Sequence, residues 1–243
     1  MRLASADAPG VLCLQELPVW ALGHLERWSG MQAIGDVARR PTLGPLPSTP
    51  EIGHVLTELH HGLLRSAFTG QANAILLDRA HVLVEHRRLV LNPFRFRRAQ
   101  ARRLGLGRSG RREWGRERRV CQAVRIRRDE QTVLVGNLHA TSSRDKRLPD
   151  VELLRAAVFV DGLALPGEPV LLCGDFNVSL RTSRTLAELM TSEWGFTVAM
   201  RAGIDHILVR GLRAGEPRAW PPRRRAHRER LLSDHSPVEV EVE

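Results

Sequence analysis

Short apolar runs of strand length alternate with segments of helical spacing along this chain. The apolar runs end in polar residues, which is typical of buried strands that finish at the surface of a domain. Eight segments fit this pattern: 11–16, 73–78, 81–92, 120–126, 132–140, 169–177, 204–210 and 236–243. Because these strands are interleaved with helical segments, the pattern predicts one domain, 1–243, of the α/β or α+β class.

Helical spacing of apolar positions marks several segments between these strands. It predicts helices over about 19–38, 51–66 and 148–163. Thr185 and Glu188 have the offset of a capping box, which predicts a further helix that ends near Trp194. Four prolines in 41–50 separate the first two helices, because proline has no amide hydrogen to continue a helix.

The composition limits the class of protein. A chain of 243 residues suffices for one large domain, and its hydrophobic fraction of 42% excludes a wholly disordered chain. No apolar stretch reaches the length of a membrane span, and Gln15 and Glu16 interrupt the N-terminal apolar run. We therefore expect a cytoplasmic, monomeric protein without a signal peptide. The three cysteines have no paired spacing, which indicates buried reduced thiols in place of disulfides or zinc ligands.

The net charge of +10 is concentrated in one segment. Between Arg95 and Arg119 lie eleven arginines against Glu113 and Glu117, so nine of the ten net positive charges are here. Four glycines punctuate the segment, which predicts a basic loop insert at about 93–119. The candidates for binding nucleic-acid phosphates are Arg97, Arg98, Arg102, Arg103, Arg118 and Arg119. A solvated insert without a ligand, or one that binds an acidic lipid surface, explains the same charge.

Polar side chains cluster where the predicted strands begin or end. The set consists of Glu16, Asn137, His139, Asp175, Asn177, Asp205, His206, Asp234 and His235. Because strand ends of one sheet meet at the same edge, we expect these side chains to converge. Carboxylates suit Mg²⁺ or Mn²⁺, and histidine and asparagine can hold or protonate phosphate oxygens. The set therefore indicates a site that combines a hard cation with phosphate chemistry.

The order of these motifs resembles the endonuclease/exonuclease/phosphatase superfamily, which includes DNase I-like nucleases, abasic-site endonucleases, sphingomyelinases and inositol polyphosphate 5-phosphatases. The resemblance extends over nearly the whole chain. It is carried by LQE at 14–16, NAILLDR at 73–79, NLHATS at 137–142, CGDFN at 173–177, GIDHILV at 203–209 and LSDHSPVEVEV at 232–242. The resemblance implies a four-layer sandwich of two mixed β-sheets flanked by helices, with the active site at one edge.

The resemblance also implies a role for each catalytic candidate. His139 is similar to the histidine that contacts the scissile phosphate and assists the leaving oxygen. Asp175 resembles the aspartate that orients or deprotonates the attacking water, and Asn177 the asparagine that holds a phosphoryl oxygen. Asp205 is similar to the aspartate that orients the terminal histidine, here His235. An aspartate–histidine pair of this kind fixes the tautomer of the histidine and raises its basicity.

The metal site implied by the resemblance contains Glu16 and Asp234, and its ion is Mg²⁺ or Mn²⁺. The family's opening strand, which carries a metal-site asparagine, precedes the QE glutamate, yet Glu16 lies only fifteen residues after Met1. We expect either that translation starts further upstream or that the site is degenerate. The chain has no tyrosine, whereas some nucleases of the family use one in the active site.

Three functions remain open at this stage. The first is a metal-dependent phosphodiesterase or nuclease that acts on DNA or RNA by in-line attack of water. The second is a phosphatase or sphingomyelinase-like enzyme that acts on lipid or inositol headgroups. The third is an inactive nucleic-acid-binding relic. The family varies its loops around a shared catalytic core, so the motifs alone do not choose a substrate.

Overall fold

The computed structural model describes residues 1, 3–43, 46–49, 51–52, 54–55, 70–199, 203–227 and 230–243. A three-stranded antiparallel sheet in the order β1-β5-β2 comes first in the chain. The strands of this part are β1 (Val11–Leu17), β2 (Gln32–Arg39), β3 (Thr42–Leu43), β4 (Leu46–Pro47) and β5 (Gln71–Leu77). Every residue of β5 is buried, because this strand is the central one and is covered on both faces.

A six-stranded mixed sheet forms the larger layer, in the order β10-β11-β9-β8-β7-β6. Its strands are β6 (Val82–Val90), β7 (Val120–Arg128), β8 (Gln131–His139), β9 (Val170–Asp175), β10 (Thr197–Val198) and β11 (Asp205–Arg210). Only the β8–β9 pair is parallel among these strands. The remaining short strands are β12 (Arg218–Ala219), β13 (Ala226–His227), β14 (Arg230–Leu231) and β15 (Val238–Glu239).

The helices lie outside the two sheets. They are α1 (Leu25–Ser29), α2 (Phe94–Arg103), α3 (Arg108–Trp114), α4 (Arg147–Asp161) and α5 (Arg184–Leu189), with 3-10 turns at Val19–His24 and Pro222–Arg225. Ile75 and Leu77 of β5 pack against Val124 of the larger sheet and join the two inner faces. Ala156, Ala157 and Val160 of α4 cover the outer face of the larger sheet, and Leu25 of α1 covers the smaller one. The result is the helix–sheet–sheet–helix sandwich that the resemblance implies. Among the described residues, no helix combines the length and the apolar character that crossing a membrane requires.

The helix predicted over 19–38 is wrong in its second half. The helical part ends at Gly30, which adopts a left-handed conformation with φ of 75° and donates its amide hydrogen to the Glu26 carbonyl. The next segment is β2, whose buried residues Ile34, Asp36 and Ala38 recur with a period of two. This alternation distinguishes the strand from a continued helix. Most of the helix predicted over 51–66 lies outside the described residues.

The basic segment is a pair of helices, α2 and α3, so the predicted loop is wrong. The few apolar residues of the segment explain the difference. Ala101, Leu106 and Trp114 are buried and pack against Leu148 of α4, whereas the arginines of the two helices are exposed, apart from the half-buried Arg97. The predicted cap is also corrected, because Ser183 and not Thr185 accepts the amide hydrogen of Leu186, at 2.9 Å.

Candidate active site

Three strand ends of the larger sheet bring His139, Asp175 and Asp205 side by side. His139 at the end of β8 is in register with Asp175 at the end of β9. Asp175 is in turn in register with Asp205 at the start of the antiparallel strand β11. The hydrogen-bonding pattern of the sheet therefore fixes the spacing of the three side chains, as the sequence predicts for residues at strand ends.

Asn177 holds the carboxylate of Asp175 in one orientation. The backbone of Asn177 is left-handed, with φ of 54°, a conformation that asparagine tolerates better than most residues. Its amide N donates to Asp175 Oδ1 at 2.9 Å, and its Nδ2 donates to Asp175 Oδ2 at 3.1 Å and to the Ala140 carbonyl at 3.0 Å. These contacts make Asn177 a clamp on Asp175. Burial and the nearby charge of Asp205 raise the pKa of Asp175 to about 6.

The position directly before Asp175 requires a glycine, Gly174. Its φ is +134°, and a Cβ at this position would lie 1.9 Å from the carbonyl oxygen of Leu138. We expect Gly174→Ala to lower the free energy of unfolding by roughly 3 kcal/mol or more, through backbone strain and separation of β8 from β9. Gly167→Ala is the matched control, because Gly167 also has positive φ, +74°, but no atom within 4 Å of such a Cβ. Urea unfolding of both variants measures the difference, and equal losses would contradict the steric argument.

His235 forms an ion pair with Asp205 next to Asp175. The Nδ1 atom of His235 lies 2.8 Å from Asp205 Oδ2. Partial burial acts to lower the pKa of His235, but the hydrogen bond and negative charge of Asp205 outweigh it and raise that pKa. One ligand atom each from Asp175, Asp205 and His235 lies within 4.8 Å of the others.

His139 is buried between acidic and basic neighbours. Its Nε2 atom lies 3.5 Å from Asp175 Oδ2 and 3.6 Å from Glu16 Oε1. The guanidinium Nη1 of Arg119 lies 2.8 Å from His139 Nδ1 and 2.9 Å from Nε2. Burial and the positive charges of Arg119 and His235 lower the pKa of His139 well below its ordinary value. His139 is therefore a neutral imidazole at neutral pH.

Glu16 enters the site from the smaller sheet through an irregularity in β1. Its backbone is left-handed, with φ of 56°, and the pairing of β1 with β5 shifts register between Leu14 and Leu17. A bulge of this kind redirects a side chain, and the Glu16 carboxylate accepts a hydrogen bond from Gln71 Nε2 at 3.4 Å. Asp234 is exposed beside His235. Within the described residues, neither Glu16 nor Asp234 belongs to the three-residue group that could hold a metal.

A profile of the Endonuclease/Exonuclease/phosphatase family matches residues 1–235. The chain belongs to this family. No curated protein sequence matches the chain significantly.

Solved structures of the same fold resemble this family member at low sequence identity. An endonuclease/exonuclease/phosphatase from Bacteroides vulgatus has a TM-score of 0.69 at 13% identity, covering 100% of this chain and 87% of its own. The mannosyl-6-phosphatase Bt3783 of Bacteroides thetaiotaomicron has a TM-score of 0.65 at 15% identity, covering 99% and 88%. Humanized D. rerio TDP2 has a TM-score of 0.64 at 12% identity, covering 100% and 92%. At these identities the likeness shows the fold.

The donor set of this family member fits a divalent cation. Members of the family are phosphoesterases and nucleases that generally depend on a divalent metal. Asp175 and Asp205 supply carboxylate oxygens in one cluster with His235, and Glu16 adds a carboxylate that lies, like that of Asp175, near His139 Nε2. Oxygen donors of this kind suit a hard cation, and the cluster contains no thiolate that would favour zinc.

Arg119 and Gln71 contact the catalytic and metal-site candidates, a position that the sequence analysis did not predict for either residue. Arg119 is 2% exposed and lies in the site, so it is not part of the exposed basic surface to which the sequence analysis assigned it. Its Nη2 donates to Glu117 and its Nη1 donates to Gln71 Oε1 at 3.4 Å, whereas its buried Nε has no partner among the described residues. The position of Arg119, directly before the buried residues of β7, is the signal that could have placed it inside the fold.

Proposed function

We propose that this protein is a metal-dependent phosphodiesterase, most specifically a nuclease, which hydrolyses a phosphodiester by in-line attack of water. The observation that carries the proposal is the alignment of His139, Asp175 and Asp205 across three strands, with His235 held on Asp205. At one sheet edge, Asp175 supplies a general base, His235 a hydrogen-bond donor that is positively charged when protonated, and His139 a neutral donor. A Mg²⁺ or Mn²⁺ ion, with Glu16 and Asp234 as proposed ligands, would neutralise charge on the phosphoryl oxygens.

Asp175 is the proposed general base. Its pKa of about 6 means that it is ionised at neutral pH but is more basic than an ordinary carboxylate, which favours proton abstraction from water. The clamp formed by Asn177 fixes the direction of its oxygens. Nδ2 of Asn177 already donates to two oxygens, so we propose that Asn177 orients Asp175 more than it holds a phosphoryl oxygen.

The pKa values of the two histidines are shifted in opposite directions. His235 stays protonated to higher pH because of Asp205, so it can donate to a phosphoryl oxygen and offset its negative charge. His139 is neutral, and we propose that it contacts the phosphate and assists the departing oxygen as a hydrogen-bond donor. Arg119, in contact with the His139 ring, keeps that imidazole neutral and fixes its position.

We expect kcat to depend on pH with a bell-shaped profile. Activity should rise as Asp175 loses its proton at a pKa of about 6, and it should fall where His235 loses its proton at its raised pKa. Asp205 raises the pKa values of both groups, so Asp205→Asn should move both limbs to lower pH. Initial rates on bis-p-nitrophenyl phosphate across a pH series measure the profile. An alkaline limb that stays in place in the variant would contradict the assignment of His235.

A substrate panel tests the proposed function directly. Purified protein with Mg²⁺ or Mn²⁺ is assayed on bis-p-nitrophenyl phosphate, plasmid DNA, RNA, sphingomyelin and a phosphomonoester. Hydrolysis of the diester and of a nucleic acid supports the proposal. Preferential hydrolysis of the monoester favours a phosphatase, a second candidate suggested by the likeness to mannosyl-6-phosphatase Bt3783. Turnover of sphingomyelin alone favours a lipid-headgroup enzyme, and inactivity on every substrate favours the nucleic-acid-binding relic.

Cytoplasmic location and the monomeric state stay predictions.

A further inference from the structure

The arginine-rich helix pair, α2 and α3, contains a cavity. In the chain, the two helices follow β6 and precede β7, and residues 104–107 join them. The cavity has a volume of about 260 Å³ and is lined by Phe94, Arg97, Arg98, Ala101, Arg111 and Trp114. Three of the six lining residues are arginines and the other three are Phe94, Ala101 and Trp114, so the cavity combines positive charge with an apolar lining and suits a ligand that has both an anionic group and an apolar part.

Glu113 of α3 and Glu117, which follows α3, pair with residues other than these three arginines. Glu113 accepts a hydrogen bond from Ser143 Oγ at 2.9 Å, and Glu117 accepts one from Arg119. In the described part of the chain, none of the three arginines that line the cavity has a carboxylate partner. Arg97 is half-buried and Arg98 and Arg111 are exposed, so each guanidinium group without a counter-ion is accessible to an incoming phosphate.

Two of the lining arginines are held in place through their Nε atoms. Arg97 Nε donates to the Asn92 carbonyl at 3.0 Å, and Arg111 Nε donates to the Leu106 carbonyl at 2.9 Å. Each hydrogen bond fixes the plane of the guanidinium group and restricts its rotamers. Less conformational entropy is then lost when the terminal nitrogens bind a ligand, which is the advantage of a preorganised site.

Phe94 gives the cavity an exposed aromatic surface. It is 68% exposed at the first turn of α2, whereas Trp114 on the other side of the cavity is 1% exposed. Phe94 therefore contributes little to the core. An exposed ring beside unpaired guanidinium groups matches a ligand that has both a phosphate and a flat base.

The cavity is connected to the candidate site by two chains of hydrogen bonds. Asn92, whose carbonyl holds Arg97, accepts the backbone amide hydrogen of Arg119 at 2.9 Å through its Oδ1. Trp114 Nε1 donates to Glu152 at 2.5 Å, and Glu152 also accepts from the amide of Thr141 at 2.7 Å. Because Thr141 follows His139 by two residues, the helix pair is fixed relative to the reacting centre.

We infer that the cavity binds a phosphate of a single-stranded nucleic acid other than the scissile one, with the neighbouring base stacked on Phe94. The inference rests on the proposed function, since it names the substrate of that site. A duplex keeps the faces of its bases stacked inside the helix, whereas a single strand offers base and phosphate together. A lipid headgroup offers the phosphate without a base to stack on the ring.

The test is a binding measurement that does not depend on catalysis. Fluorescein-labelled single-stranded DNA and RNA of mixed sequence are titrated in EDTA and followed by anisotropy over a series of salt concentrations. We expect Arg98→Ala/Arg111→Ala to raise Kd at least about tenfold and to reduce the salt slope by about 0.7 for each lost phosphate contact. Phe94→Ala should raise Kd about tenfold. Comparing the DNA and RNA titrations shows which sugar is preferred.

Two control variants separate a defined cavity from general charge. Arg102→Ala/Arg103→Ala removes two positive charges from the same helix pair without changing a residue that lines the cavity, and it should raise Kd by no more than about threefold. Arg127→Ala/Arg128→Ala removes the same charge from the far end of β7 and should leave Kd unchanged. The inference would be overturned if Arg98→Ala/Arg111→Ala and Arg102→Ala/Arg103→Ala raised Kd equally. It would also be overturned if duplex DNA bound more tightly than single-stranded DNA. Binding of phosphatidylserine vesicles without binding of oligonucleotides would assign the cavity to a lipid surface and also overturn it.

The proposed function can fail separately from this inference. Metal-dependent hydrolysis of bis-p-nitrophenyl phosphate by the unmodified protein reports on the catalytic proposal alone. If that hydrolysis is absent while oligonucleotides bind through the cavity, the phosphodiesterase proposal is wrong and the nucleic-acid site stands. If hydrolysis is present while oligonucleotides do not bind, the enzyme assignment stands and the nucleic-acid cavity is wrong.

Discussion

His235→Ala is expected to lower kcat for diester hydrolysis by about 10²–10⁴-fold, with little change in KM. The imidazole lies against Asp205, which raises its pKa, and beside Asp175. In its protonated form it can donate to charge that develops on the phosphoryl group. Because this charge grows only as the transition state forms, losing the donor should affect turnover more than substrate binding. Steady-state kinetics on bis-p-nitrophenyl phosphate, with a thermal melt to confirm folding, measure the effect.

The matched control is a second aspartate–histidine pair outside the site. His81 Nδ1 lies 2.6 Å from Asp78 Oδ1 in the turn between β5 and β6. His81→Ala removes an imidazole from an ion pair of the same kind, so it should leave kcat within about twofold. A His235→Ala variant within threefold of the unmodified protein would place His235 outside the chemistry.

Residues at strand ends were the part of the site that sequence reasoning could locate. A buried strand followed by GDFN places Asp175 and Asn177 at a sheet edge, whatever the details of the turn. The structure adds what the pattern does not contain, namely that Gly174 must leave room for the Leu138 carbonyl and that Asn177 clamps Asp175. Period-two alternation gives the direction of a side chain but not its hydrogen-bond partner.

Arg119 shows why the remaining part of the site was not found. It is the last of eleven arginines in a run of apparently similar residues, and charge counting treats them alike. Their positions in the fold distinguish them. Arg119 directly precedes the buried strand β7 and is itself buried in the site, whereas Arg98 and Arg102 lie on the surface of α2. The same run hides two helices, since the apolar positions that anchor them are few and pack against the distant helix α4. Tertiary contacts of this kind are not encoded in local composition.

Removal of divalent metal is expected to reduce hydrolysis at least about 100-fold, because the ion offsets charge that this site cannot neutralise alone. The carboxylates of Asp175 and Asp205 lie in one cluster and that of Glu16 lies near His139, so an anionic phosphodiester bound there would otherwise be repelled by them. Dialysis against EDTA followed by addition of Mg²⁺ or Mn²⁺ should abolish and then restore the rate. Full activity after exhaustive chelation would refute the metal requirement.

Thermal melting provides a second measurement that does not depend on activity. An ion that binds only the folded state stabilises it by mass action, so Mg²⁺ or Mn²⁺ should raise the Tm of the unmodified protein. Glu16→Gln should weaken this increase, since it removes a proposed ligand. Glu130→Gln removes an exposed carboxylate from the turn after β7 and should keep the full increase. If both variants respond to the ion like the unmodified protein, Glu16 is not a ligand, although its left-handed backbone still directs it towards His139.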